Sequence, residues 1–393
     1  MSTVIKNARV IDCKGEIIEN GYIEFDEKGI IAVSEKPLSA DTEIDGTGKT
    51  IMPGLIDSHV HLAMMPVTSG FAIIKDDNES ATAVKACVQS MEFLKFGITT
   101  IRSMGTKFDA DIHVRNMINA GLFEGPRVLA SGLVIAITGG HGHGIALESD
   151  SVDEALKSAR QQIKKGADVL KMMATGGVLT QGSVVGAQQL TLEQMRAVVE
   201  EAQRTGRITG AHCIGYEGTE NAIRAGVKSI EHGYMVDEKL LDLMAERNTF
   251  LCPTIIASRA IALNKETEPI AVALREKVAP IADGHLTALR KAVASGIKIA
   301  AGTDCGTPWN AISRLVDELH YYIEAGMSNM QALISATRTG AELLKLDAIL
   351  GTLEEGKLAD LIVVDGNPLS NIRALERVER TYRNGKLLYH KNK

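Results

Sequence analysis

Six residues of this chain carry nitrogen or oxygen atoms suited to metal binding, and each ends a short apolar run. They are His59, His61, Lys171, His212, His232 and Asp304, in the runs GLIDSHVH, DVLKM, ITGAH, KSIEH and KIAAGTD. In a parallel barrel the carboxyl ends of all strands meet at one rim, where the loops carry function. The pattern therefore predicts a metal centre at such a rim.

The four histidines divide into two pairs by their spacing. His59 and His61 lie two apart, so on a strand both side chains point to the same face and can serve one cation. His212 and His232 end consecutive runs 20 residues apart, which is the length of one compact βα unit. We expect them to bind a second metal together.

Lys171 and Asp304 are unusual residues for the ends of apolar strands. Burial disfavours an ammonium and lowers its pKa, and the neutral amine can react with CO₂. The carbamate on Lys171 would offer one anionic oxygen to each of two metals. Taken alone, a salt-bridged or snorkelling lysine is the simpler interpretation. Asp304 is expected to bind the first metal and to accept a proton.

Two divalent ions acidify a bridging water and polarise a carbonyl, which is what amide or ester hydrolysis requires. Imidazole and carboxylate-type ligands favour zinc, with cobalt, nickel, manganese and iron as alternatives. The predicted cofactors are thus two divalent metal ions, zinc first, with a CO₂-derived carbamate on Lys171.

The middle of the chain repeats strand and helix. Between residues 54 and 351 eight strands are counted, including ITTIR, RVLASG, DVLKM and FLCPT, and the helices have recognisable ends. Ser151 with Glu154, and Thr191 with Gln194, form capping boxes. Eight βα units predict an α/β fold, a (β/α)₈ TIM-type barrel. An open doubly wound sheet is the competitor, but it would place ligands at one switch point only.

Both ends of the chain read differently, as short strands bounded by glycine, aspartate and asparagine turns. Residues 1–53 contain TVIKNARVID and GIIAVS, and residues 352–393 contain ADLIVVDGNP and KLLYH. We expect the two ends to build one small composite β-sandwich domain beside the barrel.

Bulk properties exclude several partners. The chain has 393 residues, is 45% hydrophobic and carries a net charge of -6 without a basic block, so nucleic acid is not expected. Five scattered cysteines suggest neither a disulfide framework nor a thiolate zinc site. No leader or membrane-spanning stretch is evident, and a cytoplasmic location without membrane contact is expected. A homo-oligomer is expected because barrels of this kind often associate.

PGLIDSHVH, the strand-end lysine, the two later histidines and GTD together resemble the amidohydrolase superfamily over almost the whole chain. TGGHGHG, KMMATGGV and SIEHGYMVDE are similar to its branch of imidazolonepropionase-related proteins and Xaa-Pro and Xaa-Arg/Lys dipeptidases. The resemblance implies that His59, His61, Lys171 and Asp304 hold one metal. The same carbamate, with His212 and His232, would hold the other.

The resemblance also suggests substrate contacts. His141 of TGGH would contact the scissile carbonyl, whereas His143 is equally well interpreted as a mobile loop residue. Ile214 stands where some of those dipeptidases carry a tyrosine, and Ser103 where relatives often have an acid. The remaining candidates are Tyr216 and Tyr234 as oxyanion donors, Arg102 and Arg259 as carboxylate-binding cations, and Gly176 in a loop close to the substrate.

Three functions are therefore compared. The first is a binuclear metal-dependent amidohydrolase that cleaves dipeptides or N-acyl amino acids by attack of a metal-bridging hydroxide, with Asp304 shuttling the proton. The second is a cyclic amide (imidazolone-type) hydrolase or an aminoheterocycle deaminase, which usually runs on one metal and lacks the lysine. Deaminases often use a HxxE acid, and Glu217 has the wrong spacing from His212. The third, a non-enzymatic barrel, ranks last because all six ligands are present.

Overall fold

The computed structural model describes residues 1–67 and 76–392. The strands in that part of the chain are β1 (Thr3–Ile11), β2 (Ile17–Asp26), β3 (Gly29–Ser34), β4 (Thr42–Asp45), β5 (Lys49–Pro53), β6 (Leu55–Val60), β7 (Ile98–Ser103), β8 (Arg127–Ala130), β9 (Val134–Ala136), β10 (Ala146–Glu148), β11 (Val169–Met173), β12 (Ile208–Cys213), β13 (Ser229–His232), β14 (Phe250–Cys252), β15 (Leu361–Asp365), β16 (Val378–Arg383) and β17 (Lys386–His390).

The α-helices of the described residues are α1 (Glu79–Glu92), α2 (Ala110–Asn119), α3 (Val152–Lys165), α4 (Leu192–Arg204), α5 (Tyr216–Ala225), α6 (Glu238–Arg247), α7 (Ile255–Ala262), α8 (Pro269–Ser295), α9 (Leu315–Glu324), α10 (Asn329–Ser335) and α11 (Arg338–Leu343). Short 3₁₀ turns occur at Phe93–Phe96, Lys107–Asp109, His143–Ile145, Ile312–Arg314 and Ile372–Glu376. None of the described helices is long and apolar enough to cross a membrane.

The two ends of the chain share one sheet. Its strand order is β17-β16-β15-β5-β1-β2-β3, with β4 paired to β1, so β15 from the C-terminal end lies beside β5 from the N-terminal end. Side chains from its own strands, including Ile5, Phe25, Leu361 and Tyr382, form a separate apolar cluster. The predicted strands at both ends are confirmed. That they form a sandwich stays a prediction.

The middle of the chain is an α/β structure with parallel sheets. One sheet has the order β6-β7-β8 and the other β10-β9-β11-β12-β13-β14, and their strand pairs are parallel. Both predicted capping boxes form: the side chains of Ser151 and Glu154 cap α3, and those of Thr191 and Gln194 cap α4. The helices between parallel strands lead the chain back to the start of the next strand.

The run KIAAGTD is hydrogen-bonded like a strand, although it has no regular ladder. Ala300 N donates to Leu251 O (2.9 Å) on β14, and Ser58 N on β6 donates to Ala301 O (2.8 Å). Parallel bridges join Leu251 to Ile299 and Val60 to Cys305. The segment therefore lies between the last strand of one parallel sheet and the first strand of the other, and it carries Asp304 to the end of β6.

Candidate metal centre

All six predicted ligands face one pocket at the carboxyl ends of the parallel strands. His59 is on β6, Lys171 on β11, His212 on β12 and His232 on β13, while His61 and Asp304 directly follow their strand segments. The pocket opens to solvent, and the six side chains line it. The topology thus brings together residues that are up to 245 positions apart in the chain.

His59, His61 and Asp304 present lone pairs to one another. Nδ1 of His59 donates to Glu231 Oε2 (2.7 Å) and Nδ1 of His61 donates to Gly105 O (3.0 Å). Burial and the nearby Lys171 lower the pKa of His59 to about 4, so its Nε2 carries no proton at neutral pH. Yet the two Nε2 atoms lie 3.4 and 3.2 Å from Asp304 Oδ1. An unprotonated His59 Nε2 and the carboxylate oxygen of Asp304 repel each other at this distance, and a cation between them would remove the repulsion.

Unpaired polar atoms in the pocket support a bound cation as well. His59 Nε2, His212 Nε2 and Asp304 Oδ1 are buried and have no hydrogen-bond partner within the described residues. Ligand atoms of His59, His61 and Asp304 lie within 4.8 Å of one another. Buried polar atoms normally find a partner, and an absent ion is one of the recognised explanations when they do not. The residues therefore fit a divalent metal.

The second pair of histidines lies beside the first. The ring centroids of His212 and His232 are 4.6 Å apart, and those of His59 and His232 are 5.1 Å apart. Burial lowers the pKa of both His212 and His232 well below the usual value, which keeps the rings neutral and able to bind a cation. Nδ1 of His232 is held by Thr254 Oγ1 at 2.7 Å.

Lys171 is buried among these rings, with 1% of its surface exposed. Its side chain makes no hydrogen bond or ion pair in the described part of the chain. Burial lowers the pKa of its ammonium. A deprotonated amine in this position is the form that CO₂ can modify, and the modified side chain would bring negative charge to the centre of the ligand set.

Two of the ligands have strained backbone. His232 has φ 71° and Asp304 has φ 58°, in the left-handed region that non-glycine residues rarely adopt. Such conformations persist where the surrounding structure imposes them, and they cluster at functional sites. Here they turn two strand-end side chains into the pocket.

Comparison with known proteins agrees with this geometry. Residues 50–388 match the model of the amidohydrolase family. This chain belongs to the amidohydrolase family.

Similar proteins include an ochratoxinase, a dipeptidase and a prolidase. The Aspergillus niger ochratoxinase is 30% identical over 98% of this chain and 86% of its own length. A solved Xaa-Pro dipeptidase with bound methionine in the active site is 34% identical, with a TM-score of 0.93 over 99% of this chain and 100% of that one. A prolidase complexed with N-methylphosphonate-L-proline is 29% identical, with a TM-score of 0.91 over the whole of both chains.

These likenesses confirm the predicted superfamily and its dipeptidase branch. The amidohydrolase is a hydrolase acting on C–N bonds, and its α/β fold is very close to those of the dipeptidases. The family is generally metal-dependent, which agrees with the converging acceptors around His59, His61 and Asp304.

Two further predicted residues also line the pocket of the amidohydrolase. His141 packs its ring 4.3 Å from that of His212, and burial lowers its pKa to about 3. Tyr234 stacks on His285 with 3.7 Å between ring centroids, and burial raises the pKa of its phenol. Both side chains are therefore positioned beside the metal ligands.

Arg102 and Arg259 do not reach the pocket, contrary to the expectation that one of them binds a substrate carboxylate. Arg102 is fully buried, and its guanidinium donates to both carboxylate oxygens of Glu231 at 2.9 and 3.0 Å. Arg259 pairs with Asp283 at 3.1 Å on the outer side of α7. Each arginine already has a carboxylate partner and is not among the pocket-lining residues.

The other three candidates also lie outside the pocket lining. His143 is exposed in its loop, and Tyr216 is exposed at the start of α5. Gly176 pairs its backbone with the chain at 186–187, and a Cβ there would collide with Val184 O. Its role in the fold is this close approach of two backbone segments. Its neighbour Gly177 is the glycine that packs against His141.

Sequence reasoning missed the residues that hold the ligands. Glu231 supports His59, Thr254 supports His232 and Thr180 supports His141, each through a side-chain hydrogen bond. Of these three residues only Glu231 could have been found from the sequence, because an acid inside a buried strand is rare unless it has a partner. The threonines belong to irregular segments, where their contacts depend on the tertiary fold.

Part of the pocket lining is apolar and is called the apolar wall here. Val178 and Leu179 come from the loop after β11, Ile214 follows β12, and Ile261 and Val278 come from α7 and α8. Asp304 is the only acidic side chain that lines the pocket in the described part of the chain. Glu217, in the first turn of α5, does not line it, so no second acid supports a deaminase-type proton transfer.

Proposed function

We propose that this protein is a binuclear metal-dependent amidohydrolase that cleaves the amide bond of dipeptides or N-acyl amino acids. The observation that carries the proposal is the convergence of His59 Nε2, His61 Nε2 and Asp304 Oδ1, a geometry that suits a bound cation. The similarity to a dipeptidase and a prolidase, together with the apolar pocket lining, supports the proposed reaction and substrate class.

The architecture that goes with this proposal is a closed (β/α)₈ barrel of residues 54–351. Residues 1–53 and 352–393 form the composite β-sandwich domain. Closure is supported by the hydrogen bonds of residues 300 and 301 to β14 and β6, and by the bond from Asp168 N to Ala130 O (2.8 Å) between the two parallel sheets. A closed barrel would gather all strand ends around one pocket.

We assign His59, His61, a carboxylated Lys171 and Asp304 to one metal ion, and His212, His232 and the same carbamate to the other. The buried position and lowered pKa of Lys171 support the modification, since only a neutral amine adds to CO₂. Zinc suits imidazole and carboxylate-type oxygen ligands. When bound, such a metal pair acidifies water and polarises the carbonyl of the substrate.

The residues of the chain would then perform three tasks. Asp304 is placed to accept a proton from the nucleophilic water and to pass it to the leaving amine. His141 lies on the pocket side, where an imidazole N–H can stabilise negative charge on the carbonyl oxygen. Tyr234 is the second candidate for that contact, although its phenol also interacts with Ser258.

The pocket chemistry favours apolar substrates over basic ones. The apolar wall is formed by aliphatic side chains, which offer no carboxylate to a lysine or arginine side chain. Two similar structures contain bound methionine and N-methylphosphonate-L-proline, and both ligands carry the side chain of an apolar amino acid. We therefore expect Xaa-Pro dipeptides and N-acyl derivatives of apolar amino acids to be cleaved before Xaa-Arg or Xaa-Lys dipeptides.

The test combines metal analysis with a substrate screen. Protein prepared without chelator should contain close to two equivalents of divalent metal per chain, and it should release amino acids from apolar dipeptides. Lys171→Ala should lose both, whereas Lys164→Ala, at an exposed position of α3, should lose neither. An active Lys171→Ala variant with full metal content would contradict the assignment. Turnover of lactams or ring amides alone would favour the cyclic amide hydrolase.

A further inference from the structure

His141 is held by contacts of its Nδ1, its backbone and one face of its ring. Its Nδ1 lies 3.0 Å from Thr180 Oγ1, and its backbone N donates to Gln189 Oε1 at 3.0 Å. The face of the ring lies against Gly177, where a Cβ would come within about 2.5 Å of Nε2. The imidazole therefore has one orientation, and its Nε2 makes no hydrogen bond to any other described residue.

Thr180 is itself held in place. Its backbone carbonyl accepts a hydrogen bond from Lys277 Nζ at 3.1 Å, and the same ammonium donates to Val178 O at 3.3 Å. These two hydrogen bonds join the loop after β11 to α8. Thr180 is buried, with 4% of its surface exposed. Its hydroxyl hydrogen therefore needs an acceptor inside the protein.

The donors and acceptors around this hydroxyl determine where the hydrogen points. The N–H of Gly142 donates to Thr180 Oγ1 at 3.0 Å and occupies one lone pair. The only other polar atom bonded to Oγ1 among the described residues is Nδ1 of His141. If Nδ1 carried the proton, the threonine hydrogen would be left without an acceptor. If Nδ1 accepts that hydrogen, then Nδ1, the threonine hydroxyl and the N–H of Gly142 each have a hydrogen-bond partner.

We propose that Thr180 is a positioning residue that donates its hydrogen to Nδ1 of His141 and so fixes the ring proton on Nε2, facing the pocket. The carbonyl oxygen of the substrate would thus meet an N–H donor that needs no rearrangement during the reaction. The catalytic consequence rests on the proposed amide hydrolysis. The tautomer of His141 does not, and it can be measured without substrate.

Nitrogen-15 NMR of histidine-labelled protein is the direct test. Two-bond proton–nitrogen correlations distinguish the tautomers, and a His141→Gln variant identifies the signals of His141 among the ten histidines. Spectra are recorded with zinc and after chelation. The wild type and Thr180→Ser should show the Nε2–H form, whereas Thr180→Val should show a larger share of the Nδ1–H form. Thr205→Val, which removes a hydroxyl at the end of α4, should match the wild type.

Kinetics on the best amide found in the screen give the second readout. Thr180→Val should lower kcat about tenfold to a hundredfold, the usual cost of losing a residue that orients a functional histidine. KM should change little, since the donor acts mainly in the transition state. Thr180→Ser should restore kcat to near the wild-type value.

The two proposals fail in different ways. An Nδ1–H tautomer in the wild type, or a Thr180→Val variant whose tautomer is unchanged, would overturn the role of Thr180 whatever its activity. A wild-type enzyme that hydrolyses no amide would overturn the proposed function, while the spectra would still decide the assignment for Thr180.

Discussion

Arg102 donates two hydrogen bonds, of 2.9 and 3.0 Å, to the carboxylate of Glu231, and neither side chain is exposed to solvent. Glu231 also accepts from Nδ1 of His59 and from the hydroxyl of Ser229. Burial alone would raise the pKa of Glu231, but Arg102 and His59 lower it below the usual range. An ionised carboxylate beneath the pocket therefore sets which nitrogen of His59 faces the metal centre.

Glu231→Gln is expected to weaken both stability and metal binding. The substitution leaves the charge of Arg102 uncompensated in the interior, which typically costs about 3 to 5 kcal/mol of unfolding free energy. It also removes the anion that orients His59, which should weaken zinc affinity about tenfold to a hundredfold. Urea unfolding of the metal-free protein and competitive zinc titration measure the two effects.

Glu220→Gln is the matched control, because Glu220 pairs with Arg224 on the exposed surface of α5 at 2.6 Å. Removing an exposed pair should cost at most about 1 kcal/mol. Equal effects of the two substitutions would show that the buried carboxylate has no special role in holding His59.

Gly177→Ala should impair catalysis without unfolding the protein. A Cβ at this position would occupy space that the imidazole of His141 fills, so the ring must move. A displacement of about 1 Å in a catalytic group can lower kcat about a hundredfold. Gly144→Ala is the control from the neighbouring loop, where a Cβ meets no atom within 4 Å. Steady-state kinetics with thermal melting separates the effects, and an unaltered kcat would argue against His141 as a functional group.

The sequence singles out the six candidate metal ligands because their chemistry conflicts with their surroundings. A lysine or an aspartate at the end of a buried apolar strand is rare unless it is paired, and six polar strand ends together point to one shared site. Their meeting in one pocket followed from the parallel topology alone. The pattern of βα units and the two capping boxes predicted that topology through local signals, which do not depend on distant contacts.

The supporting contacts could not be predicted in the same way. Arg102 was interpreted as a substrate contact, since nothing near it in the chain shows that Glu231, 129 residues away, is its partner. His285 and Ser258 bond to each other and support Tyr234, yet they lie on α8 and α7 among ordinary helical residues. The eighth strand, residues 298–304, was predicted by its apolar run, but it makes only isolated bridges to its two neighbours.

Glu318 should make stability depend on pH. Its two carboxylate oxygens accept from Ile255 N (2.9 Å) and Ile256 N (2.6 Å) at the start of α7, and burial raises its pKa from 4.5 to about 8. Between these values the folded protein binds more protons than the unfolded chain. This group therefore makes folding less favourable as pH rises from about 4.5 to 8, by up to about 1.4 kcal/mol per pH unit.

Glu318→Gln removes this titration, so the stability of the wild type relative to the variant should fall between pH 5 and pH 8. Urea unfolding of both metal-free proteins across that window measures the difference, in which other titrating groups cancel. The free energy of unfolding of Glu220→Gln should depend on pH in the same way as that of the wild type. A constant difference between wild type and Glu318→Gln would show that the pKa of Glu318 is the same in both states.

Ile261→Ala should change substrate preference, because Ile261 on α7 contributes to the apolar pocket wall. If this wall holds an apolar substrate side chain, the shortened residue loses contact with a leucine or phenylalanine group but not with glycine. Losses of about 1 to 3 kcal/mol, or roughly tenfold to two-hundredfold in kcat/KM, are typical for such contacts. The measurement is kcat/KM for a series of dipeptides of increasing side-chain size. Leu263→Ala, at the exposed end of the same helix, should leave the series unchanged. A uniform loss across the series would instead mean that Ile261 supports the ligands and does not contact the substrate.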